Sequence, residues 1–158
     1  FRSGTFRTHL GLNITEDSAV ALPAPSLELL SRRVDIMSRN VQLISSALTG
    51  TRDDMSIGIA QSWDCHAALV PYCNLCLLAG AEGVWYRAFM SRAMDAARAR
   101  GVPLVAGTSF GFDVTRIYLV ESLIPSHRPF IRISPGVETI DEMTRLVEAL
   151  TDAAGEMK

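Results

Sequence analysis

The residue best suited to chemistry is Arg132, in the run from Arg128 to Leu150, RPFIRISPGVETIDEMTRLVEAL. A guanidinium is a planar fork that meets a carboxylate with two parallel hydrogen bonds, and it stays charged at any working pH. Phe130 to Ile133 is a β-prone run, and side chains alternate across a strand. Ile131 and Ile133 therefore share one face, and Phe130 and Arg132 share the other. If the chain binds a small anion, Arg132 is the first candidate. The alternative is an arginine on an open sheet face, paired with a glutamate such as Glu138. Arg116 also sits in a strand pattern, where it could face solvent or make a second anion contact.

Three cysteines, Cys65, Cys73 and Cys76, are the other chemically active group. An odd number argues against a disulfide framework. Cys73 and Cys76 form a CxxC, and His66 follows Cys65, which suggests a redox pair or half of a zinc site. Structural zinc takes four ligands, and there is no second CxxC and no histidine pair. A redox CxxC belongs at a helix N-terminus, where the thiolate is stabilised. This one falls in an apolar, strand-like run, so packing as small hydrophobes is the preferred reading.

The elements that must position these groups follow from periodicity. Ser134, Pro135 and Gly136 end the Arg132 strand. Thr139 and Glu142 have capping-box spacing, and Ile140, Met143, Leu146, Val147 and Leu150 follow at helical intervals. Upstream, Leu27, Leu30, Val34, Met37, Val41, Ile44 and Leu48 form one apolar stripe on a helix of about six turns. Pro25 suits its start and Gly50 its stop. The stripe fits a helix lying on a sheet or joining two lobes; a coiled-coil seam is the other reading.

Between these ends the pattern is weaker. Strands are expected at 55–60, 74–79, 102–106 and 114–120, and a helix at about 84–100. That helix should turn Trp85, Phe89, Met90, Met94 and Ala97 inward and stop at Gly101 and Pro103. GTSFGFD, residues 107–113, is a glycine-bearing turn, a kind of backbone that allows close approach to a ligand. The fold class is α+β, a short, mostly antiparallel sheet of three or four strands covered on one face by about three helices. Residues 1–25 read as an irregular arm or connector, and residues 26–158 as a small C-terminal domain with its long linking helix at 26–49. Arg2, Arg7 and His9 in the arm could bind anions, but a solvated arm is the simpler reading.

Composition bounds the rest. The chain has 158 residues, 48% of them hydrophobic, enough for one domain with a sizeable core. A net charge of −2 gives no reason to expect nucleic acid or an anionic membrane. No apolar run approaches the ~20 residues of a membrane span, so a cytoplasmic location is expected. Fourteen of the fifteen basic residues are arginine, and the one lysine is Lys158, the last residue. The chain starts at Phe1 rather than methionine, which suggests a processed product, a fragment or an isolated domain.

The order of these pieces resembles the C-terminal, small-domain part of fold-type I pyridoxal-phosphate enzymes, nearest to the cysteine/methionine-metabolism group of cystathionine synthases and lyases. That group carries an SLGGxE turn, then an IRLSVGxE segment and a closing amphipathic helix. Ser109-Phe110-Gly111 resembles the first, and Ile131 to Glu138 (IRISPGVE) resembles the second more sharply. The resemblance implies that Arg132 grips the α-carboxylate of an amino-acid substrate. It also implies that Ser109 lies beside substrate and cofactor, with Gly111 next to the cofactor. The implied cofactor is pyridoxal phosphate, held mainly by a large domain. The implied partners are that domain or chain, the amino-acid substrate and a second copy in a homo-oligomer.

Departures limit what carries over. The family's Schiff-base lysine, its phosphate-binding glycines and its aspartate for the pyridine nitrogen lie upstream of the long helix, and Lys158 matches none of them. SLGG is SFGF here and SVGxE is SPGVE, so substrate choice does not transfer. Two readings follow. One is the carboxylate-binding domain of an amino-acid-metabolising enzyme, a C–S lyase, a γ-replacement enzyme or a relative, with the catalytic lysine elsewhere. The other is a non-catalytic dimerisation or regulatory module of the same fold.

Overall fold

The computed structural model describes residues 27–59, 71–78, 83–108, 111, 113–121 and 128–157. The expected arm, with Arg2, Arg7 and His9, lies outside the described residues, as do Cys65, His66, Ser109 and Lys158. The chain divides into two units, Phe1–Leu30 and Ser31–Lys158. The second unit contains the sheet.

The elements in order are helix α1 (Leu27–Leu48), strands β1 (Met55–Ile59) and β2 (Cys73–Leu77), helix α2 (Gly83–Ala99), strands β3 (Val105–Ala106), β4 (Arg116–Val120) and β5 (Phe130–Ser134), and helix α3 (Ile140–Gly155). The fold is α+β, as expected. The sheet has five strands in the order β1-β2-β5-β4-β3. All pairs are antiparallel except β3 with β4, which is parallel. The expected three or four strands are thus exceeded by one, and the antiparallel pattern breaks at one edge. β3 is shorter than the expected 102–106 because the backbone N–H of Val102 closes α2, bonding the Ala97 carbonyl at 3.0 Å, and Pro103 has no N–H to give. β4 starts at Arg116 rather than 114 because the Thr115 N–H is taken by the Glu138 carboxylate.

Register explains the core. Ile117, Ile133, Cys73 and Ile59 form one row across the sheet, and Leu119, Ile131, Leu75 and Ile57 form the next. Their central members are fully buried. Onto this face α2 packs Tyr86, Phe89, Ala93 and Ala97. α3 adds Met143, Leu146, Ala149, Leu150 and Ala153. Small alanines on both helices let them approach closely, since dispersion contacts fall off over fractions of an ångström. From α1, Met37, Val41, Ile44 and Leu48 enter the core, whereas Val34 is half-buried and Leu30 exposed. Only the second half of the stripe is therefore used.

Two inward assignments change. Tyr86, not Trp85, is the buried aromatic at the start of α2, and its hydroxyl accepts the Leu77 N–H at 2.9 Å, tying the helix to the end of β2. Trp85 is half-buried and stacks on Phe89, with ring centroids 5.5 Å apart. On α3 Ile140 is exposed, and alanines fill the contact that longer side chains were expected to fill.

The ends match their signals. Gly50 and Gly101 take φ of 77° and 66°, the left-handed conformation that stops a helix. Thr139 and Glu142 form the capping box, with Thr139 N–H to the Glu142 carboxylate at 2.9 Å and Glu142 N–H to the Thr139 hydroxyl at 3.3 Å. The bond from the Thr139 N–H holds the exposed Glu142 carboxyl below its ordinary range.

The tightest feature is a backbone crossing. A Cβ on Gly111 would lie 2.1 Å from the Ser134 carbonyl oxygen, and one on Gly136 would lie 2.6 Å from the Val114 nitrogen. Gly111, Asp113 and Val114, at the end of the GTSFGFD turn and just beyond it, thus run directly over the end of β5 and its turn. Neither backbone can retreat, because one is joined to β4 and the other to the central strand. Gly111→Ala or Gly136→Ala should each cost at least about 2 kcal/mol through overpacking. Gly58→Ala, with nothing within 4 Å, should change stability by less than about 0.5 kcal/mol. Urea unfolding of the three variants tests this, and similar midpoints for all three would show that the crossing is not tight.

Candidate functional site: the open face of the sheet around Arg132

The alternation that buries Ile131 and Ile133 forces Arg132 onto the opposite face, away from the helix-covered core. β5 is the central strand, hydrogen-bonded on both sides, so the arginine stands on a rigid base. Register places Asn74 of β2 on one flank and Tyr118 of β4 on the other. The guanidinium lies 5.8 Å from the ring centre of Tyr118 and 5.9 Å from that of Tyr72, within cation–π range. Its Nη2 donates to the Thr108 carbonyl. Arg132 is half-buried, and the buried Asn74 Oδ1 beside it has no hydrogen-bond partner among the described residues.

Beside this group is a hollow of about 600 Å³ whose lining includes Arg87, Ala106, Gly107, Thr108, Tyr118 and Glu121. Thr108 and Tyr118 also touch Arg132, so the hollow adjoins the arginine, although Arg132 does not itself line it. A second hollow of about 370 Å³, between α1 and α3, is lined by Leu43, Ser46, Ala47, Met143, Thr144 and Val147, with no charged group. A site for an anion belongs at the first.

Glu138, the alternative partner for Arg132, is elsewhere. It is 5% exposed, and its Oε1 accepts the Thr115 N–H while Oε2 has no hydrogen-bond partner among the described residues. It braces the crossing and does not neutralise Arg132. The turn it belongs to is also held from α1. Asn40, fully buried, donates its amide to the Gly136 and Glu138 carbonyls at 3.0 and 3.2 Å. Arg39 donates to the same Glu138 carbonyl at 3.0 Å and to the Asn40 oxygen at 2.8 Å. Arg33 pairs with Asp113 on the crossing segment. The supporting role of Asn40 was missed by sequence reasoning, although its place was a signal. An amide three residues after Met37 and four before Ile44 lies on the buried side of the stripe, and a buried amide needs partners.

Gly111 is buried against the Ser134–Pro135 backbone, and this packing alone requires a glycine. The cysteines behave as packed thiols. Cys73 and Cys76 stand three residues apart on β2 and so project to opposite faces. Cys73 points into the core and Cys76 to the other side, and that geometry does not join them as a pair. Burial pushes the Cys73 thiol up to about 12 and also raises that of Cys76. Both shifts make the thiols less nucleophilic. Among the described residues no group of three or more His, Cys, Asp or Glu side chains could hold a metal ion. None of the described helices is long and apolar enough to cross a membrane.

Comparison with known proteins adds one finding. No known family matches the chain, and no solved structure does. A stretch of 64 residues, 38% of the chain, is 39% identical to the bifunctional enzyme flvA of Aspergillus flavus. The match spans 8% of that protein's length.

The Cys73 shift has a pH consequence. An unfolded thiol ionises near about 8.5, the folded one only near about 12. The stability it contributes is full below about pH 8.5 and is lost as pH rises from there towards about 12, by about 1.4 kcal/mol per pH unit. Urea unfolding from pH 8 to 10.5 should show this slope as a difference between the native chain and Cys73→Ala. Parallel curves would mean that Cys73 is not shielded from water.

Proposed function

We propose that this chain is the substrate-carboxylate-binding C-terminal domain of a pyridoxal-phosphate-dependent, amino-acid-metabolising enzyme, a C–S lyase, a γ-replacement enzyme or a related one. The observation that carries the reading is Arg132: a guanidinium on the central strand of an open sheet face, flanked by two aromatic rings, with Glu138 held away from it. The resemblance of IRISPGVE to the family's arginine segment points the same way. So does the partial likeness to a protein that is itself named an enzyme.

The fit to the cofactor is partial. The described residues contain no lysine, so they offer no amine to hold pyridoxal phosphate covalently. The pyridoxal-binding domain is therefore proposed as a partner, on another part of the protein or another chain, in a cytoplasmic homo-oligomer. When bound, the cofactor supplies an electron sink for carbanion chemistry at the substrate.

This chain's own residues bind and orient. Arg132 takes the carboxylate with its fork, and Tyr72 and Tyr118 limit how that fork can swing. Fixing the carboxylate fixes the direction of the bonds at the neighbouring carbon, which is what a bound substrate needs before reaction. The crossing at Gly111 and Gly136, braced by Asn40 and Glu138, holds the end of the strand that carries the arginine.

An NMR titration of the chain with L-alanine should therefore shift resonances of β4 and β5. Arg132→Ala should weaken the binding about 10- to 100-fold, as expected for a charged hydrogen bond worth about 1.5–3 kcal/mol. The substitution lies on the open face and should leave the melting temperature within a few degrees. Equal binding by the variant would overturn the role of Arg132. Separately, the full-length gene product should absorb in the visible from bound pyridoxal phosphate, and a colourless product would overturn the cofactor.

A further inference from the structure

A second arginine reaches the same area. Arg116 lies on β4 opposite Ser134, and two residues on Tyr118 lies opposite Arg132. Period-two alternation puts Arg116, Tyr118, Arg132 and Ser134 on one face. Arg116 and Arg132 are thus diagonal neighbours, a relation that sets side-chain bases about 7–8 Å apart.

Their head groups converge on one stretch of backbone. Arg132 Nη2 donates to the Thr108 carbonyl, while Arg116 Nη1 lies 3.0 Å from where a Cβ on Gly107 would be. Glycine at 107 lets the Arg116 guanidinium lie against the chain. Arg116 is half-buried, and no hydrogen bond or ion pair engages it among the described residues. Among the described residues, Asp113 pairs with Arg33 and Glu121 with Arg87, and Glu138 accepts the Thr115 N–H. The hydroxyl of Ser134, across from Arg116, is buried and has no hydrogen-bond partner among the described residues. A carboxylate set between two guanidinium groups lowers their mutual repulsion.

We infer that Arg116 is a specificity-determining residue that binds a second acidic group of the ligand whose first carboxylate Arg132 holds. The inference rests on the carboxylate role proposed for Arg132 and names the class of ligand: small dicarboxylates in preference to monocarboxylates. The spacing suits acidic groups separated by two or three carbons, each taking one fork.

The test is calorimetric titration of the full 158-residue chain with succinate and with propionate at fixed ionic strength. Succinate should bind at least tenfold more tightly. Arg116→Gln should bring the two ligands within about twofold while leaving propionate unchanged. Gly107→Ala, whose methyl displaces the guanidinium without altering its charge, should narrow the ratio as well and serves if Arg116→Gln does not fold. Equal binding of the two acids by the native chain, or an undiminished preference in both variants, overturns the inference while leaving Arg132 in its role. If the native chain binds neither acid, the Arg132 reading fails and this one with it.

Discussion

Everything around Arg132 depends on two stretches of backbone passing within contact distance. At Gly111 the chain lies against the Ser134 carbonyl, and at Gly136 it lies against Asp113 and Val114. No side chain fits at either point. Buried backbone groups must also find partners there, and they do. The Thr115 N–H goes to Glu138, the Val137 N–H to the Asp113 carbonyl at 3.4 Å, and the Gly136 and Glu138 carbonyls to Asn40. The crossing is thus closed by hydrogen bonds from three directions. The strand ending in it, β5, is the one that bears the arginine.

This arrangement divides labour between the two faces of the sheet. One face carries isoleucine, leucine and cysteine rows under the helices and provides the stability. The other carries Asn74, Arg132, Tyr118 and Arg116, side chains whose polar ends gain little from burial. The same groups under the helices would each need a partner from within the chain.

Much of this could be read from local patterns. The alternation in Phe130–Ser134 put Arg132 on the uncovered side, the capping box located α3, and glycines marked the ends of α1 and α2. These signals involve residues within about one turn or one strand of each other. What could not be read was non-local. Of the neighbours of Arg132, Asn74 follows from β2 pairing with β5 across more than fifty residues of chain, and Tyr118 from β4 pairing with β5. The glycine at 111 looked like part of a ligand-binding turn, and its need for hydrogen in place of a side chain came from a strand twenty residues away. The parallel edge at β3 was not legible either, because no propensity in VPLVA encodes direction. Tyr86 and Trp85 are adjacent on α2, and only the position of the Leu77 N–H decided which ring went inward.

Helix α1 has a further consequence for how the chain can vary. Asn40 reaches the SPGVE turn from the middle of an unbroken 22-residue helix. In such a helix each added residue turns everything ahead of it by about 100° and moves it about 1.5 Å. A residue inserted between Asn40 and Ile44 would therefore turn the amide about 100° away from the turn it serves while Ile44 and Leu48 stayed in the core. The four-residue spacing of Asn40 and Ile44 is thus fixed by the turn and the core together, whatever residues lie between.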